Sequence, residues 1–264
     1  MKTAIEFDRV CVVLVATRNP LNIGAAARAM SNFGFSRLRV VRPYEPAFRE
    51  ARSAVGASDL LAKAEQYDTV AQAVADCTLV AGTTAVRHRE LQHPLYRLEI
   101  GASRIRKRLR TSSARAAILF GSEKFGLSTK DLSHCHWLIR IPTSDANISM
   151  NLGQAVAICL YELIRRSNAG NAKGAKVPDK LPLATSAELE RITALLLDAL
   201  HLSGFLTMRR VADAKERIRR LVRRLNLPAR DAVIWLGIFR QIVWKMNSGG
   251  NAKNAPGDEG PAAR

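Results

Sequence analysis

Three segments of the chain bring polar or charged side chains next to glycine or other small residues, an arrangement that could hold a phosphate or a sugar. The first segment, residues 15–35, contains Asn22, Gly24 and Arg28 with the spacing Asn-x-Gly-x3-Arg. The surrounding small residues predict a helix that Asn22 could cap and that a neighbour could approach closely at Gly24. Arg28 lies far enough into this helix for its guanidinium to reach a phosphate or a sugar oxygen. The residues alone also fit an ordinary surface arginine.

The second segment, residues 118–128 (ILFGSEKFGLS), joins a predicted strand to a loop that contains Gly121, Glu123 and Gly126. Glycines after a strand allow a ligand to lie against backbone N–H and C=O groups. The Glu123 carboxylate could accept a hydrogen bond from a ribose hydroxyl or pair with an arginine. Two glycines at this spacing are common, so this segment is weak evidence when taken alone.

The third segment, residues 139–163, contains a strand that ends at Pro142, a polar loop, and then Ser149, Met150 and Asn151 directly before an apolar helix. Ser and Asn are favoured at helix N-caps, so capping is the simpler interpretation of Ser149 or Asn151. A contact of either side chain with a ligand is the alternative.

The elements that position these segments alternate between strands and helices. Apolar runs typical of buried strands occupy residues 10–16, 38–41, 78–82, 116–120 and 137–141. Helical patterns lie between or after them, at residues 22–33, 58–75 and 151–166. This alternation predicts an α/β domain with a mostly parallel sheet. Because ligands bind at the carboxyl ends of strands in such sheets, we expect the three segments to meet at one edge.

A change in composition divides the chain into four parts. Residues 1–167 form the predicted α/β domain, and residues 168–184, rich in Gly, Ala, Asn, Lys and Pro, form a predicted linker. Residues 185–246 predict three helices, of which the first is capped by Thr185 or Ser186 and the third is opened by Pro228. Residues 247–264 have the composition of a disordered tail.

The strong positive charge predicts a polyanionic partner. The formal net charge is +18 and the isoelectric point is near 10.6, which favours nucleic acid because binding to phosphates releases counterions. The densest cluster lies in the second C-terminal helix, whose arginines we expect to face outward. Those predicted to contact RNA are Arg209, Arg210, Arg217, Arg220 and Arg224. A helix that is merely solvated is the alternative. A second cluster, residues 103–115 (SRIRKRLRTSSAR), contains no acid.

Other features exclude several classes of protein. The four cysteines form no CxxC pair, which indicates a reducing compartment rather than a disulfide framework or a zinc site. His134 and His136 lack a visible second pair of ligands, so no metal is expected. No Gly-x-Gly loop or Walker A motif occurs. With neither a signal peptide nor an apolar run of membrane-spanning length, the sequence predicts a cytoplasmic protein that does not bind a membrane.

The three segments together, in this order and at these separations, closely resemble the signature motifs of the SpoU (TrmH-like) ribose methyltransferases of the SPOUT class. The resemblance extends from Val10 to about Arg166. Residues 81–90 (AGTTAVRHRE) resemble the corresponding segment of the TrmJ group, and the C-terminal helices resemble that group more loosely. The resemblance implies a sheet whose C-terminal part is tied in a trefoil knot, S-adenosylmethionine as the methyl donor, and a homodimer whose sites are built from both subunits.

The resemblance also implies roles for individual residues. Arg28 matches the catalytic arginine, and Asn22 supports it. The other polar positions of the family's catalytic centre correspond to Glu123, Ser149 and Asn151. Backbone groups that would cradle the cofactor belong to Thr83, Gly121, Ile141 and Met150. Met150 replaces the family's usual leucine, a change that leaves backbone contacts intact.

The implied activity is 2′-O-methylation of a ribose in structured RNA, with a cytidine or uridine at position 32 of the tRNA anticodon loop as the expected target. Two alternatives remain open at this point. One is a ribosomal-RNA 2′-O-methyltransferase, although relatives of that kind often carry an extra N-terminal RNA-binding domain. The other is a noncatalytic RNA-binding protein that retains the fold.

Overall fold

The structure is a computed structural model that describes residues 7–53, 58–85, 92–165, 181–206 and 208–251. Most of the predicted linker and residues 252–264 of the predicted tail lie outside these ranges. The domain boundaries drawn from composition therefore stay predictions. None of the helices within these ranges has the length and apolar character needed to cross a bilayer.

The described strands form one sheet in which every pairing is parallel. In chain order they are β1 (Val10–Val15), β2 (Arg37–Val41), β3 (Glu65–Tyr67), β4 (Leu79–Thr83), β5 (Leu95–Arg97), β6 (Ala116–Phe120) and β7 (Trp137–Arg140). Their order across the sheet is β3-β2-β1-β6-β4-β7-β5. The α/β class with a mostly parallel sheet is thus confirmed, whereas the trefoil knot stays a prediction.

Helices cover both faces of the sheet. After a 3₁₀ turn at Phe7–Arg9, they are α1 (Pro20–Asn32), α2 (Glu45–Ser53), α3 (Ser58–Ala62), α4 (Val70–Ala73), α5 (Leu98–Arg108), α6 (Thr129–Leu132) and α7 (Leu152–Ile164). Side chains of α1, α5 and α7 bury one face of β1 and β6, and those of α4 and α6 bury the other. Both faces of the central strands are covered, which explains their uninterrupted apolar runs.

The sheet contains a buried ion pair beneath β2. Arg39 is 3% exposed and donates to both carboxylate oxygens of Asp76, at 2.6 Å and 3.0 Å. Arg115 donates to the same carboxylate at 2.9 Å. Burial acts to raise the pKa of Asp76, but the hydrogen bonds from the two arginines outweigh it and hold that pKa well below its ordinary value. Ionised Asp76 therefore stabilises the fold.

We expect Asp76→Asn to lower the free energy of unfolding at pH 7 by about 1–2 kcal/mol, a reduced value because this carboxylate keeps partial contact with solvent. Since the folded pKa lies below the unfolded one, the contribution is fully present above about pH 4 and is lost as the pH falls further. The difference in melting temperature between wild type and variant should therefore shrink as the pH falls from about 4 to about 2. The exposed Asp59→Asn is the control, and a difference that stays constant with pH would contradict the prediction.

Three C-terminal helices follow, as the sequence predicts. They are α8 (Ser186–Leu202), α9 (Met208–Arg224) and α10 (Ala229–Asn251), and Thr185 caps α8 in a capping box with Glu188. Leu189, Ile192 and Val222 lie in their shared core. The helix α10 continues five residues beyond the predicted boundary, because its backbone hydrogen bonding does not end where the composition becomes polar. Residues 247–251, assigned by composition to the tail, are therefore helical.

Three arginines of α9 face into the protein, contrary to the expectation that its arginines face outward. Arg219, Arg220 and Arg223 are 4%, 7% and 1% exposed. The prediction that Arg220 lies free on the RNA-facing surface is wrong, because it donates to Gln92 at 2.6 Å. Leu221 is 44% exposed, so the predicted apolar face is partly outward. Buried ion pairs with α8 replace the hydrophobic contacts that helical periodicity alone would predict.

Candidate active site at the carboxyl edge of the sheet

A chain of hydrogen bonds joins one side chain from each of the three sequence segments. Asn22 Nδ2 donates to Glu123 Oε1 at 3.1 Å, and Asn151 Nδ2 donates to Asn22 Oδ1 at 2.7 Å. Asn22 is more than a hundred positions from each of the other two residues in the sequence, yet all three lie together at the carboxyl edge of the sheet. The predicted convergence of the segments is thus observed for Asn22, Glu123 and Asn151.

The starts of two helices position this chain. Asn151 caps α7, and its Oδ1 accepts hydrogen bonds from the backbone of Gly153 and Gln154. Asn19 caps α1, with Pro20 at the first helical position, so the expectation that Asn22 is the cap is wrong. A cap followed by proline is a recognised start signal and could have been found in the sequence. Because Asn22 does not cap α1, its side chain can form the hydrogen bonds to Glu123 and Asn151.

Glu123 holds the loop that follows β1. Its carboxylate accepts hydrogen bonds from the backbone N–H of Arg18 at 3.3 Å and of Asn19 at 3.2 Å, in addition to the bond from Asn22. The carboxylate is thus committed to fixing the start of α1. In this arrangement the carboxylate connects the loop after β6 to the start of α1.

Gly121 allows the loop after β6 to fold back on itself. A Cβ at Gly121 would lie 2.0 Å from the backbone carbon of Gly126 and 2.2 Å from the backbone nitrogen of Leu127. Gly126 has φ of +65°, a conformation that favours glycine, and its N–H donates to Ser122 O at 2.8 Å. The two glycines therefore serve the compact turn that presents Glu123.

We expect Gly121→Ala to lower the free energy of unfolding by about 2–3 kcal/mol, because the new methyl group would overlap rigid backbone. Urea denaturation followed by circular dichroism measures this change. Gly237→Ala in α10 is the matched control, since nothing lies within 4 Å of a Cβ built at that helical position. It should stabilise the protein by about 0.5–1 kcal/mol, and equal destabilisation by both substitutions would contradict the explanation.

The predicted cofactor residues lie at the ends of three adjacent strands. Thr83 ends β4, Gly121 follows β6, and Ile141 follows β7, while β4 lies between the other two. Thr83 Oγ1 donates to Leu119 O at 2.9 Å and so ties β4 to β6. Met150, directly before α7, is partly buried, as are Thr83, Gly121 and Ile141. Three loops with backbone, small and apolar groups thus face the same edge.

Arg28 and Ser149 are not part of the hydrogen-bonded chain. Arg28 is exposed on α1 and has no hydrogen-bond or ion-pair partner among the described residues. Ser149 is likewise exposed, in the loop before α7. Leu21, about two helical turns before Arg28, is 78% exposed. Tyr161 on the adjacent α7 is 52% exposed. This face of α1 and α7 therefore combines a free guanidinium with exposed apolar groups.

The predicted RNA-binding arginines of α9 divide into three groups. Arg217 and Arg224 are exposed and available to a partner. Arg220 is buried, as described above. The side chains of Arg209 and Arg210 lie outside the described part of the structure. His134 and His136, for which the sequence shows no second pair of metal ligands, are buried, and His136 Nδ1 accepts a hydrogen bond from Val80 N. Within the described residues, no group of three or more metal-ligating side chains occurs.

Comparison with protein-family models matches residues 9–161 to the SpoU rRNA Methylase family, a segment that includes all three motifs. The chain belongs to the SpoU rRNA methylase family. This SpoU-family chain is 33% identical over 240 residues to a protein of Pectobacterium atrosepticum named tRNA (cytidine/uridine-2'-O-)-methyltransferase TrmJ, covering 89% of this chain and 97% of that protein. A protein of the same name from Escherichia coli is 31% identical over 92% of this chain and 98% of its own.

Two solved structures share the fold of this chain. The crystal structure of TrmJ from Z. mobilis ZM4 superposes with a TM-score of 0.74 at 32% identity, covering 88% of this chain and 98% of that one. A probable methyltransferase from Bordetella pertussis superposes with a TM-score of 0.56 at 33% identity over 62% of this chain. The predicted similarity to the TrmJ group is confirmed, and it extends through the C-terminal helices.

Proposed function

We propose that this SpoU-family protein transfers a methyl group from S-adenosylmethionine to a ribose 2′-hydroxyl of tRNA, at a cytidine or uridine of the anticodon loop. The observation that carries the proposal is the hydrogen-bonded chain of Glu123, Asn22 and Asn151, which come from the segments that follow β6, β1 and β7. Its members occupy the motif positions of the family. The names of the TrmJ relatives supply the substrate class.

The three loops at this edge fit S-adenosylmethionine. Gly121 keeps the loop after β6 compact, and the partly buried Ile141 and Met150 offer apolar surface for an adenine ring. Thr83 donates a hydrogen bond to Leu119 O and so would hold the end of β4 in place at one side of the cofactor. When bound, S-adenosylmethionine supplies a methyl group already activated on its sulfonium. The protein then has to orient a ribose hydroxyl and stabilise the charge that develops on its oxygen.

The side chains of the site divide this work. Glu123, Asn22 and Asn151 are positioning residues, because their polar atoms bond to one another and to the starts of α1 and α7. Arg28 is the group left free to contact RNA. A guanidinium stays protonated, so we assign Arg28 to holding the phosphate beside the target ribose and stabilising the developing oxyanion. Ser149, exposed before α7, is available to hydrogen-bond the substrate.

A homodimer explains how Arg28 reaches a cofactor crevice. Within one protomer, Arg28 forms no hydrogen bond with Glu123, Asn22 or Asn151, and the same two helices expose Leu21 on α1 and Tyr161 on α7. Packing this apolar face of α1 and α7 against a second copy would bury these side chains. It would also bring Arg28 of each protomer toward the crevice of its partner.

The decisive experiment is to incubate the purified protein with tritium-labelled S-adenosylmethionine and either unmodified tRNA or ribosomal RNA, and then to map the product by mass spectrometry. The proposal predicts label in tRNA at a 2′-O-methylated pyrimidine of the anticodon loop. Label in ribosomal RNA alone would establish the alternative substrate. Tight RNA binding without methyl transfer to either substrate would identify a noncatalytic RNA-binding protein.

A further inference from the structure

A basic cavity lies at the edge of the sheet opposite to the candidate active site. Its volume is about 260 Å³, and its polar lining residues are Thr78, Arg104, Lys107, Arg108, Thr111 and Ser113. Thr78 directly precedes β4 and Trp137 begins β7, so the cavity lies at the amino ends of these strands. A strand of five residues such as β6 spans roughly 15 Å. The cavity is therefore spatially distinct from the site at the carboxyl ends.

The lining residues of this basic cavity include no acid. The positive charge of Arg108 is therefore not balanced by a carboxylate in the cavity, since its Nη2 donates to the neutral Asn226 Oδ1 at 3.2 Å. Burial lowers the pKa of Arg108. Elsewhere in the molecule, buried arginines pair with carboxylates, as Arg39 does with Asp76 and Arg219 does with Glu190. The cationic charge of the cavity thus lacks the internal counter-ion that the fold supplies at comparable positions.

Aromatic contacts hold the cationic groups in place. The Arg104 guanidinium carbon lies 4.2 Å from the centroid of the Tyr96 ring, and that ring packs edge-on against Trp137. Trp137 is 7% exposed, and its indole N–H has no hydrogen-bond partner among the described residues. A buried donor without an acceptor is costly. An oxygen-rich anion in the cavity would supply the missing negative charge and would accept hydrogen bonds from the cationic side chains that line it.

The volume of the cavity fits one chemical group of a larger molecule rather than a whole nucleotide. Pockets for drug-sized ligands measure roughly 300–1,000 Å³, so this cavity suits a phosphate with part of its sugar rather than a whole nucleotide. Arg104 and Lys107 are exposed at the cavity, where an extended polyanion can reach them. Both belong to the acid-free segment of residues 103–115, which the candidate active site does not use.

We propose that this basic cavity binds a phosphate of the tRNA backbone and so anchors the substrate at a second point, remote from the reacting ribose. The identity of the RNA rests on the proposed function, whereas the phosphate chemistry rests on the cavity itself. A contact of this kind fixes the orientation of the RNA and carries no base specificity.

The test compares tRNA binding by Lys107→Ala and Ser113→Asp with binding by wild type, as a function of salt concentration. The first substitution removes a cation, and the second adds a negative charge without removing a packed side chain. We expect Lys107→Ala to weaken binding about three- to tenfold and to reduce the slope of log Kd against log salt by about 0.9, the value for one lost phosphate contact. Ser113→Asp should weaken binding at least as much. Lys63→Ala, which removes an exposed lysine from the end of α3, is the matched control and should bind as wild type does.

Binding is measured without S-adenosylmethionine. The binding data therefore test the cavity even if the protein does not methylate tRNA. Melting temperatures establish that each variant folds, and at saturating tRNA the methyl-transfer rate should match that of wild type. Unchanged affinity and salt slope in both cavity variants would overturn the proposal, as would an equal loss in Lys63→Ala. Inorganic phosphate at matched ionic strength provides a further arm. Stabilisation by phosphate that the cavity variants lose, with tRNA affinity unaltered, would show a free-anion site and overturn the RNA assignment.

Discussion

Arg28→Ala should reduce kcat for methyl transfer by about 10²- to 10³-fold or more, the effect of removing a charged group that stabilises a developing oxyanion. The affinity for S-adenosylmethionine should remain near that of wild type, because we assign Arg28 to the RNA phosphate and to the developing oxyanion, whereas the cofactor is held by the loops after β4, β6 and β7. Isothermal titration with the cofactor, together with a tritium-methyl transfer assay, measures both quantities. Arg28→Lys should restore little activity, since an ammonium lacks the planar fork of donors that a guanidinium offers to phosphate.

Arg49→Ala is the matched control, because Arg49 is an exposed arginine on the neighbouring α2. Near-normal turnover of Arg28→Ala would refute the assignment. Mixing Arg28→Ala with Asn22→Ala further tests the shared site. If each crevice takes Arg28 from the partner, a mixed dimer contains one crevice with both residues intact and should recover part of the activity. Two inactive homodimers that give no active mixture would contradict a site built from two subunits.

Glu190→Gln should lower the free energy of unfolding by about 2–4 kcal/mol, because it leaves buried cations without their counter-ion. Glu190 accepts hydrogen bonds from Arg219 Nε at 2.9 Å and Nη2 at 2.6 Å, and it lies 3.6 Å from Arg223 Nη2. Burial already lowers the pKa of Arg223 to about 10. Arg219 also donates to Ser133 of the sheet domain, so the loss should loosen the contact between α9 and that domain. Urea denaturation followed by tryptophan fluorescence measures the change.

Glu99→Gln provides the control for that loss, since Glu99 forms a solvent-exposed pair with Arg97 and should contribute at most about 1 kcal/mol. A double-mutant cycle adds Arg219→Gln. Each single substitution leaves one buried charge without its partner, and that unpaired charge destabilises the fold. The double variant leaves neither, so its loss of unfolding free energy should be smaller than the sum of the two single losses. Strict additivity, or an equal effect of Glu99→Gln, would show that the buried ions do not act together.

The core of the sheet domain could be predicted because its signals are local. β1 and β6 are buried on both faces, and a strand in that environment is apolar along its whole length. The short strands β3 and β5 were missed, since three residues at the edge of a sheet carry no distinct period. The helical pattern of residues 58–75 was only partly right, because β3 interrupts it between α3 and α4. The edge position of β3 depends on its pairing with β2, a tertiary contact.

The amphipathic pattern of α9 predicts outward-facing arginines, whereas three of them are buried in the folded chain. Periodicity places arginines outward because an isolated charge is costly to bury. In the folded chain, Glu190 of α8 and Ser133 of the sheet domain provide partners for Arg219, and this face packs inward instead. No local rule contains this information, because the compensating carboxylate lies on another helix.

The sequence by itself determined the α/β class, the three motifs and the helical C-terminal region, since each is encoded by neighbouring residues whose burial or spacing repeats. The folded structure was needed to show that Asn19 rather than Asn22 caps α1, that Glu123 bonds to the start of α1, and that Arg28 is exposed on α1. It also gathered the cations of the basic cavity at the amino edge. The physical reason is that these features depend on hydrogen bonds and charge balance between residues far apart in the chain, which are set by strand register and helix packing.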